Sequence, residues 1–222
     1  ECFRLWKACD AQVGDDFHIN PEEIEAKYFG VLTKLFNVAR FASQFDSPAD
    51  LDAVPSDLSV EDRWILAEFA STMEKVEKGW SELDIYTATQ ALKTFGTGIL
   101  PSHWLEMSKS RLYDGDTNAA WTIHRIVRDL MSALSPVCPF FTHHISDSLY
   151  ENSAVDVRDF PTRTPQDDSL RQLTSAIEEF NGATWRTKKE AGLSLNVPIS
   201  GIVIPEELKE FTTILTQMHK LE

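Results

Sequence analysis

Apolar residues recur with a period near 3.6 through most of the chain, which predicts a protein built from amphipathic helices. In "PEEIEAKYFGVLTKLFNVARFASQF", Pro21 suits a first-turn position behind Asn20, and Ile24, Phe29 (or Tyr28), Leu32, Leu35 (or Phe36) and Ala39 make the inward stripe. In "EDRWILAEFASTMEKVEKGW", Ile65, Leu66, Phe69, Met73, Val76 and Trp80 share one stripe, and Glu68, Glu74, Lys75 and Lys78 fall off it. Ser59, three residues before Asp62, is placed to cap that helix. The intervening "DSPADLDAVPSDLS" is a polar, proline-punctuated connection.

A third long segment, roughly residues 84 to 113, carries Gly96, Gly98 and Pro101 in its middle, which predict a break or kink, with Trp104 to Leu112 as its second half. "DGDTN" turns the chain into a fourth helix, "AAWTIHRIVRDLMSALS", with Ile123, Val127 (or Ile126), Leu130 and Leu134 inward. Pro136 and Pro139 stop it, and "FFTHHISDSLY" begins another. After the loop "VRDFPTRTPQ", residues 167 to 191 read as helix, "VPISGIVI" between Pro198 and Pro205 as a short strand, and "PEELKEFTTILTQM" as a final helix. The expected architecture is mainly α: a helical bundle over 1–160 and a small α/β appendage over 161–222. One strand cannot close a sheet, so the appendage is expected to be truncated or to pair elsewhere.

With 222 residues and 42% apolar content, the chain can bury a sizeable core. No apolar run approaches the ~18–20 residues of a membrane span and no secretion signal is apparent, which predicts a cytoplasmic protein with no membrane partner. Cys2, Cys9 and Cys138 form no CxxC pair. On a helix Cys2 and Cys9 are about 10 Å apart, too far for a disulfide, so reduced thiols and no zinc site are expected. Glu1 in place of Met, and a terminal "HKLE" whose Leu221 and Glu222 read as a vector scar, predict a piece of a longer polypeptide.

The stretch "EMSKS" (106–110) is one letter from the ATP-binding "KMSKS" loop of class I aminoacyl-tRNA synthetases. That loop needs a nucleotide-binding sheet beside it and a partner "HIGH", and neither is legible here. Trp104, Leu105 and Leu112 instead give helical spacing, which leaves Lys109 and Arg111 able to face water. His143 and His144 point about 100° apart on a helix and cannot share one ion, and His143 with Asp147 supplies only two ligands. No GxSxG elbow and no phosphate-cradling glycine loop occurs. The sequence therefore predicts no catalytic residue, no metal site and no cofactor in this chain.

The formal net charge of −14 argues against DNA and against non-specific nucleic-acid binding over the whole surface. The basic residues nevertheless cluster: Lys27, Lys34 and Arg40 along the "FNVARF" helix; Lys109 and Arg111 near Arg125 and Arg128 by position; and Arg186, Lys188 and Lys189. Local clusters on an acidic background suit one defined RNA surface, where cations meet phosphates and rings stack on unpaired bases. A helical scaffold whose acidic face docks a protein is the alternative.

Several blocks in order resemble a known family. "CFRLWKACDAQVGDDF" is similar to its "DALR-W-A-S---G-D--F", "LTKLFNVARF" to "L-KLWN-ARF", "EDRWIL" and "DIYTATQAL" to "DRWIL" and "F-EA--AL", and "HWLEMSKSRLY" to "WYLEMVKPRLY". "LSPVCPFFTHHISDSLY" resembles "LHPFMPFITEEIW", and "KKEAGLSLNVPI" resembles "KSEKGLSLNAPL". These are features of the helical anticodon-binding region that follows the catalytic domain in class I aminoacyl-tRNA synthetases for branched aliphatic amino acids, the valyl enzymes more than the isoleucyl. "EMSKS" then stands where the family has "EMVKP", and its likeness to the ATP loop is accidental. Departures are Glu1 and Cys2 for Asp-Ala, Phe36 for a tryptophan, His143 and His144 for two glutamates, and the interrupting "GTGILP".

The resemblance implies that this region grips the anticodon stem and loop of a valine tRNA, while ATP and Mg serve a catalytic domain elsewhere in the parent enzyme. Implied RNA contacts are Phe41, Arg40, Asn37 and Lys34, helped by His18 and Lys27, with Arg111 and Lys109 as further phosphate contacts. Its expected partners are that tRNA and the parent's own catalytic domain.

Overall fold

The computed structural model describes residues 1–10, 14, 16, 19–150, 160–161 and 168–222, so His18 and most of the predicted 157–166 loop lie outside the described residues. The bundle consists of α1 (Cys2–Cys9), α2 (Pro21–Ala42), α3 (Val60–Ser81), α4 (Ile85–Thr94), a π-helical segment (Phe95–Trp104), α5 (Leu105–Tyr113), α6 (Thr117–Leu134) and α7 (Pro139–Leu149). A 3-10 turn (Asp168–Leu173) leads into α8 (Thr174–Glu190), and another (Glu206–Phe211) into α9 (Thr212–His219).

Short polar side chains start the long helices by filling their orphan N–H groups. Asn20 accepts from Glu22 and Glu23 ahead of α2, Ser59 from Asp62 ahead of α3, and Asp116 from Asn118 and Ala119 ahead of α6. Glu1 reaches across the fold to cap α7, accepting from the backbone of Phe140 and Phe141 at 2.8 and 3.1 Å. On α2 the open choices fall to Tyr28 and Leu35, which are buried, leaving Phe29 and Phe36 exposed. On α6 both Ile126 and Val127 are buried, because this helix is packed by α2, α3, α4, α5 and α7 and is enclosed on nearly every side.

The break or kink predicted around "GTGILP" takes the form of a π-helical segment, with no interruption of the helical backbone. Helical backbone runs from Ile85 to Tyr113, and the glycines and proline are absorbed by wider π turns. Gly96 lets this segment lie against its neighbours: a Cβ there would stand 2.7 Å from a Leu35 methyl and 3.2 Å from one of Leu130. Trp104 is fully buried and donates to Asp62 at 3.0 Å, so its own ring is not available to a ligand.

The expected strand over 197–204 is also corrected: the described residues contain no sheet, only a single parallel bridge between Ile199 and Leu221. The physical reason is local. Pro198 and Pro205 lack donors and Gly201 turns the chain at φ +80°, so only Ile199 is left to pair, through the N–H of Ile199 to Lys220 and the N–H of Glu222 to Ile199. The C-terminal helices cover a second face of α3. Trp64 is fully buried there, donating to Thr174 at 2.8 Å and meeting Phe211 edge-on, while the Thr174 hydroxyl donates to Glu68.

A buried polar chain ties these pieces. Lys188 donates to the carbonyls of Leu195, Val197 and His219, each at 2.7 Å. The His219 ring donates from Nε2 to Asn181 Oδ1 at 2.7 Å, and Asn181 Nδ2 donates to His103 Nδ1 on the π segment at 3.0 Å. Burial, with the charge of Lys188, pushes His219 down to about 4. Because the unfolded chain binds this proton more readily, the neutral ring contributes stability above its ordinary value of 6.5, and that contribution is lost as pH falls towards 4. Urea unfolding followed between pH 7 and pH 4 is therefore expected to show declining stability, with a shallower decline in His219→Gln, which can keep the donor without titrating. An equal decline in both would remove His219 from the explanation.

Candidate nucleic-acid interface

The exposed face of α2 carries most of the residues singled out from sequence. Lys34, Asn37 and Arg40 are all exposed, and neither Lys34 nor Arg40 has an ion-pair partner among the described residues. At about 100° per residue, Asn37 and Arg40 lie near the middle of that face, and Lys27, Lys34 and Phe41 form a line along one edge. Phe41 is half-buried: its inner side packs on the core, so it is neither a free ring nor a sealed one.

Lys27 lies on the same edge but is bound to Asp10 at 2.6 Å. Burial would raise the Asp10 carboxyl, yet the hydrogen bond and charge of Lys27 hold it below its ordinary value, and much of the cation's field is spent there. His18 lies outside the described residues.

The second basic cluster is dissolved by the fold. Arg111 does not face water as its helical spacing predicts. Its guanidinium donates to Glu61 at 2.6 Å, Asp62 at 2.7 Å, Asp116 at 2.9 Å and the Ser59 hydroxyl at 2.7 Å. Burial alone would make Arg111 easier to deprotonate, but the hydrogen bonds and charges of Asp62 and Glu61 outweigh it and raise its pKa. With three carboxylates on its donors, Arg111 presents no net positive charge to a phosphate and acts as a tie from α5 to α3 and the start of α6. Arg125 and Arg128 are likewise drawn onto Asp129 and Asp52 and pin the 43–59 connection against α6. Lys109 remains at the surface, paired with Glu106 one turn away. In the third cluster Arg186 and Lys189 are exposed but Lys188 is fully buried, so the "KKEAGLSLN" turn is held to its own appendage.

The physical reason is the charge balance. In a chain with 35 acidic and 21 basic residues, an arginine near the core readily finds a carboxylate. Lys34 and Arg40 are spared because they stand on the water-facing side of α2.

Sequence reasoning missed the tip of α5. Tyr113 is 65% exposed, and its ring lies edge-on to Phe45 at 5.6 Å and to Phe41 at 6.1 Å, with Phe41 and Phe45 themselves 5.1 Å apart. Phe41 and Phe45 at i, i+4 were visible in "ARFASQF", but nothing in one dimension puts "RLYDGD" beside them. His124 on α6 backs the cluster by donating from Nε2 to the Phe45 carbonyl at 3.0 Å. Burial lowers the pKa of His124 despite that bond, which keeps the ring neutral near pH 7.

The opposite end of the bundle is different in character. A groove of about 880 Å³ there is lined by Phe3, Arg4, Trp80, Leu83, Pro136 and Val137 among others. It lies about 27 Å from the Asp116 end, the length of the 18-residue α6. Among the described residues no helix is long and apolar enough to cross a membrane, and no group of His, Cys, Asp or Glu is arranged to hold a metal ion.

A family model described as the anticodon-binding domain of tRNA ligase matches residues 62–203. Valine–tRNA ligase of Aeropyrum pernix is 30% identical over 99% of this chain, that of Saccharolobus solfataricus 31% over 86%, and that of Pyrobaculum aerophilum 30% over 98%. The matched part is 28%, 23% and 28% of those proteins, so the chain spans less than a third of the relatives' length.

Proposed function

Because this chain belongs to the anticodon-binding domain family of tRNA ligases, we propose that it recognises the anticodon stem and loop of valine tRNA as a non-catalytic part of a class I valine–tRNA ligase. The observation that carries the reading is the surface of α2, where Lys34 and Arg40 stand exposed and unpaired among the described residues beside Asn37 and the half-buried Phe41. Cations there supply salt-dependent attraction to phosphates, and Asn37 and the rings supply hydrogen bonding and stacking for unpaired bases. Lys27 and Lys109 are auxiliary because each already neutralises a carboxylate. Gripping the distal loop would orient the acceptor end for bond formation in the catalytic domain of the parent enzyme. That domain is the second partner in this reading, and ATP and magnesium are assigned to it. Translation of this kind takes place in the cytoplasm. A protein-docking scaffold would not need two unpaired cations on an exposed face that also carries Asn37 and Phe41.

Binding of a valine tRNA transcript to the purified chain is expected to weaken as salt rises. Lys34→Ala and Arg40→Ala should each lower the slope of log K against log salt by about one unit. A flat salt response in the parent chain, or indifference to changing the anticodon sequence, would sink the proposal.

A further inference from the structure

We propose that Tyr113 is a stacking platform for an unpaired base of the anticodon loop, held ready by Phe41 and Phe45. The inference rests on the tRNA reading above and assigns to it a residue from a different helix. A tyrosine that is 65% exposed is normally free to rotate, and ordering it costs a ligand part of its binding energy. Here the ordering is already done: two edge-to-face contacts, at interplanar angles of 67° and 88°, hold the ring while most of the residue stays in water.

The supports of the cluster are rigid. Phe45 is held through its carbonyl by buried His124, and Phe41 is anchored by the half of its ring that packs on the core. Tyr113 follows Arg111 by two residues, and the bonds of Arg111 to Glu61, Asp62 and Asp116 fix the tip of α5.

The occupant follows from the surroundings. Lys34 lies on the Phe41 edge of α2, about 10 Å along the helix from Phe41, and is the unpaired cation on this side, while Lys109, one turn before Tyr113 on α5, is shared with Glu106. Asp114, next to Tyr113, disfavours a phosphate on the turn side. A flat, polarisable group joined to an anionic backbone fits this arrangement. Every nucleobase has such a face, so the platform contributes affinity and positions the loop without selecting a base by itself.

The experiment uses the 222-residue chain and a valine tRNA transcript carrying 2-aminopurine at an unpaired anticodon-loop position, read by fluorescence. Tyr113→Ala is expected to weaken binding by about 10-fold and to remove the fluorescence change, with the salt slope unaltered because no phosphate contact is lost. Tyr113→Phe keeps the ring and should bind like the parent, while Val203→Ala, at a position 84% exposed, controls for surface truncation. Parent-like binding and signal by Tyr113→Ala would overturn the platform and leave the tRNA reading standing. An equal loss in Tyr113→Phe would assign the effect to the hydroxyl and overturn stacking. Absence of any tRNA binding by the parent chain would overturn both.

Discussion

Replacing Arg111 with leucine is expected to destabilise the fold by about 3–5 kcal/mol, because it leaves Glu61 and Asp62 buried with no counter-charge. The figure reflects the stranded carboxylates, since a buried pair as a whole is worth much less than the loss of one member. The pH response separates this account from simple loss of packing. Burial would raise the Asp116 carboxyl, but the Ala119 N–H and the hydrogen bond and charge of Arg111 hold it below its ordinary 3.8. A carboxyl lowered on folding contributes stability that is present above 3.8 and lost as pH falls through the lower folded value. In Arg111→Leu that contribution shrinks, so the variant should lose less stability than the parent on acidification. Urea melts at pH 7 and near pH 3, below the ordinary 3.8, test it, and a uniform deficit at both pH values would contradict the charge argument. Because Arg111 also fixes the tip of α5, a folded fraction of this variant should bind tRNA more weakly through a displaced Tyr113, without the change in salt slope that removal of a phosphate contact would bring.

Lys188→Met is expected to be almost as costly, at about 3–4 kcal/mol. Methionine can fill the volume of the alkyl chain, but the buried His219 carbonyl and the part-buried carbonyls of Leu195 and Val197 lose their shared donor, at about 1–3 kcal/mol for each group left bare. The effect should appear first in the C-terminal elements. Trp185 stacks on His103 at 5.8 Å, and on heating the amide protons of α8 and α9 should exchange at lower temperature than those of α2, α3 and α6. Coincident transitions in the variant would instead mean that the C-terminal elements and the bundle unfold as one unit, joined through the Trp64 and Asn181 contacts.

Much of the helical plan is legible in one dimension because it depends on neighbours. Ser59 serves as the predicted cap, Pro21 takes its predicted first-turn position behind Asn20, and α2, α3 and α6 fall where their apolar period places them. The exposure of Lys34, Asn37 and Arg40 follows from the same period, since they oppose the Ile24, Leu32, Leu35 and Ala39 stripe. The glycines and proline in the middle of the third segment signal an irregularity, a break or kink, because they oppose α-helix in isolation, but they do not say that it takes the form of π turns. In the fold, the space between Leu35 and Leu130 admits only a bare backbone, and π turns take up the strain. The strand over 197–204 was misread because alternation in a short apolar run does not say whether a partner strand exists.

What the sequence determined alone is the order and inward face of the helices and the likeness to anticodon-binding regions. Both rest on local periodicity and on the order of short motifs, and neither needs the helices to be placed against one another. Only tertiary structure decided which cations remain available and which rings meet. Arg111, Arg125 and Lys188 read as surface charges until packing brings Asp62, Asp129 and three carbonyl oxygens to them. Tyr113 reads as the end of a helix until Phe41 and Phe45 stand against it. The reason is distance: ion pairing and ring stacking act across a few ångströms of space, and a folded chain brings residues into that range from positions dozens apart in the sequence.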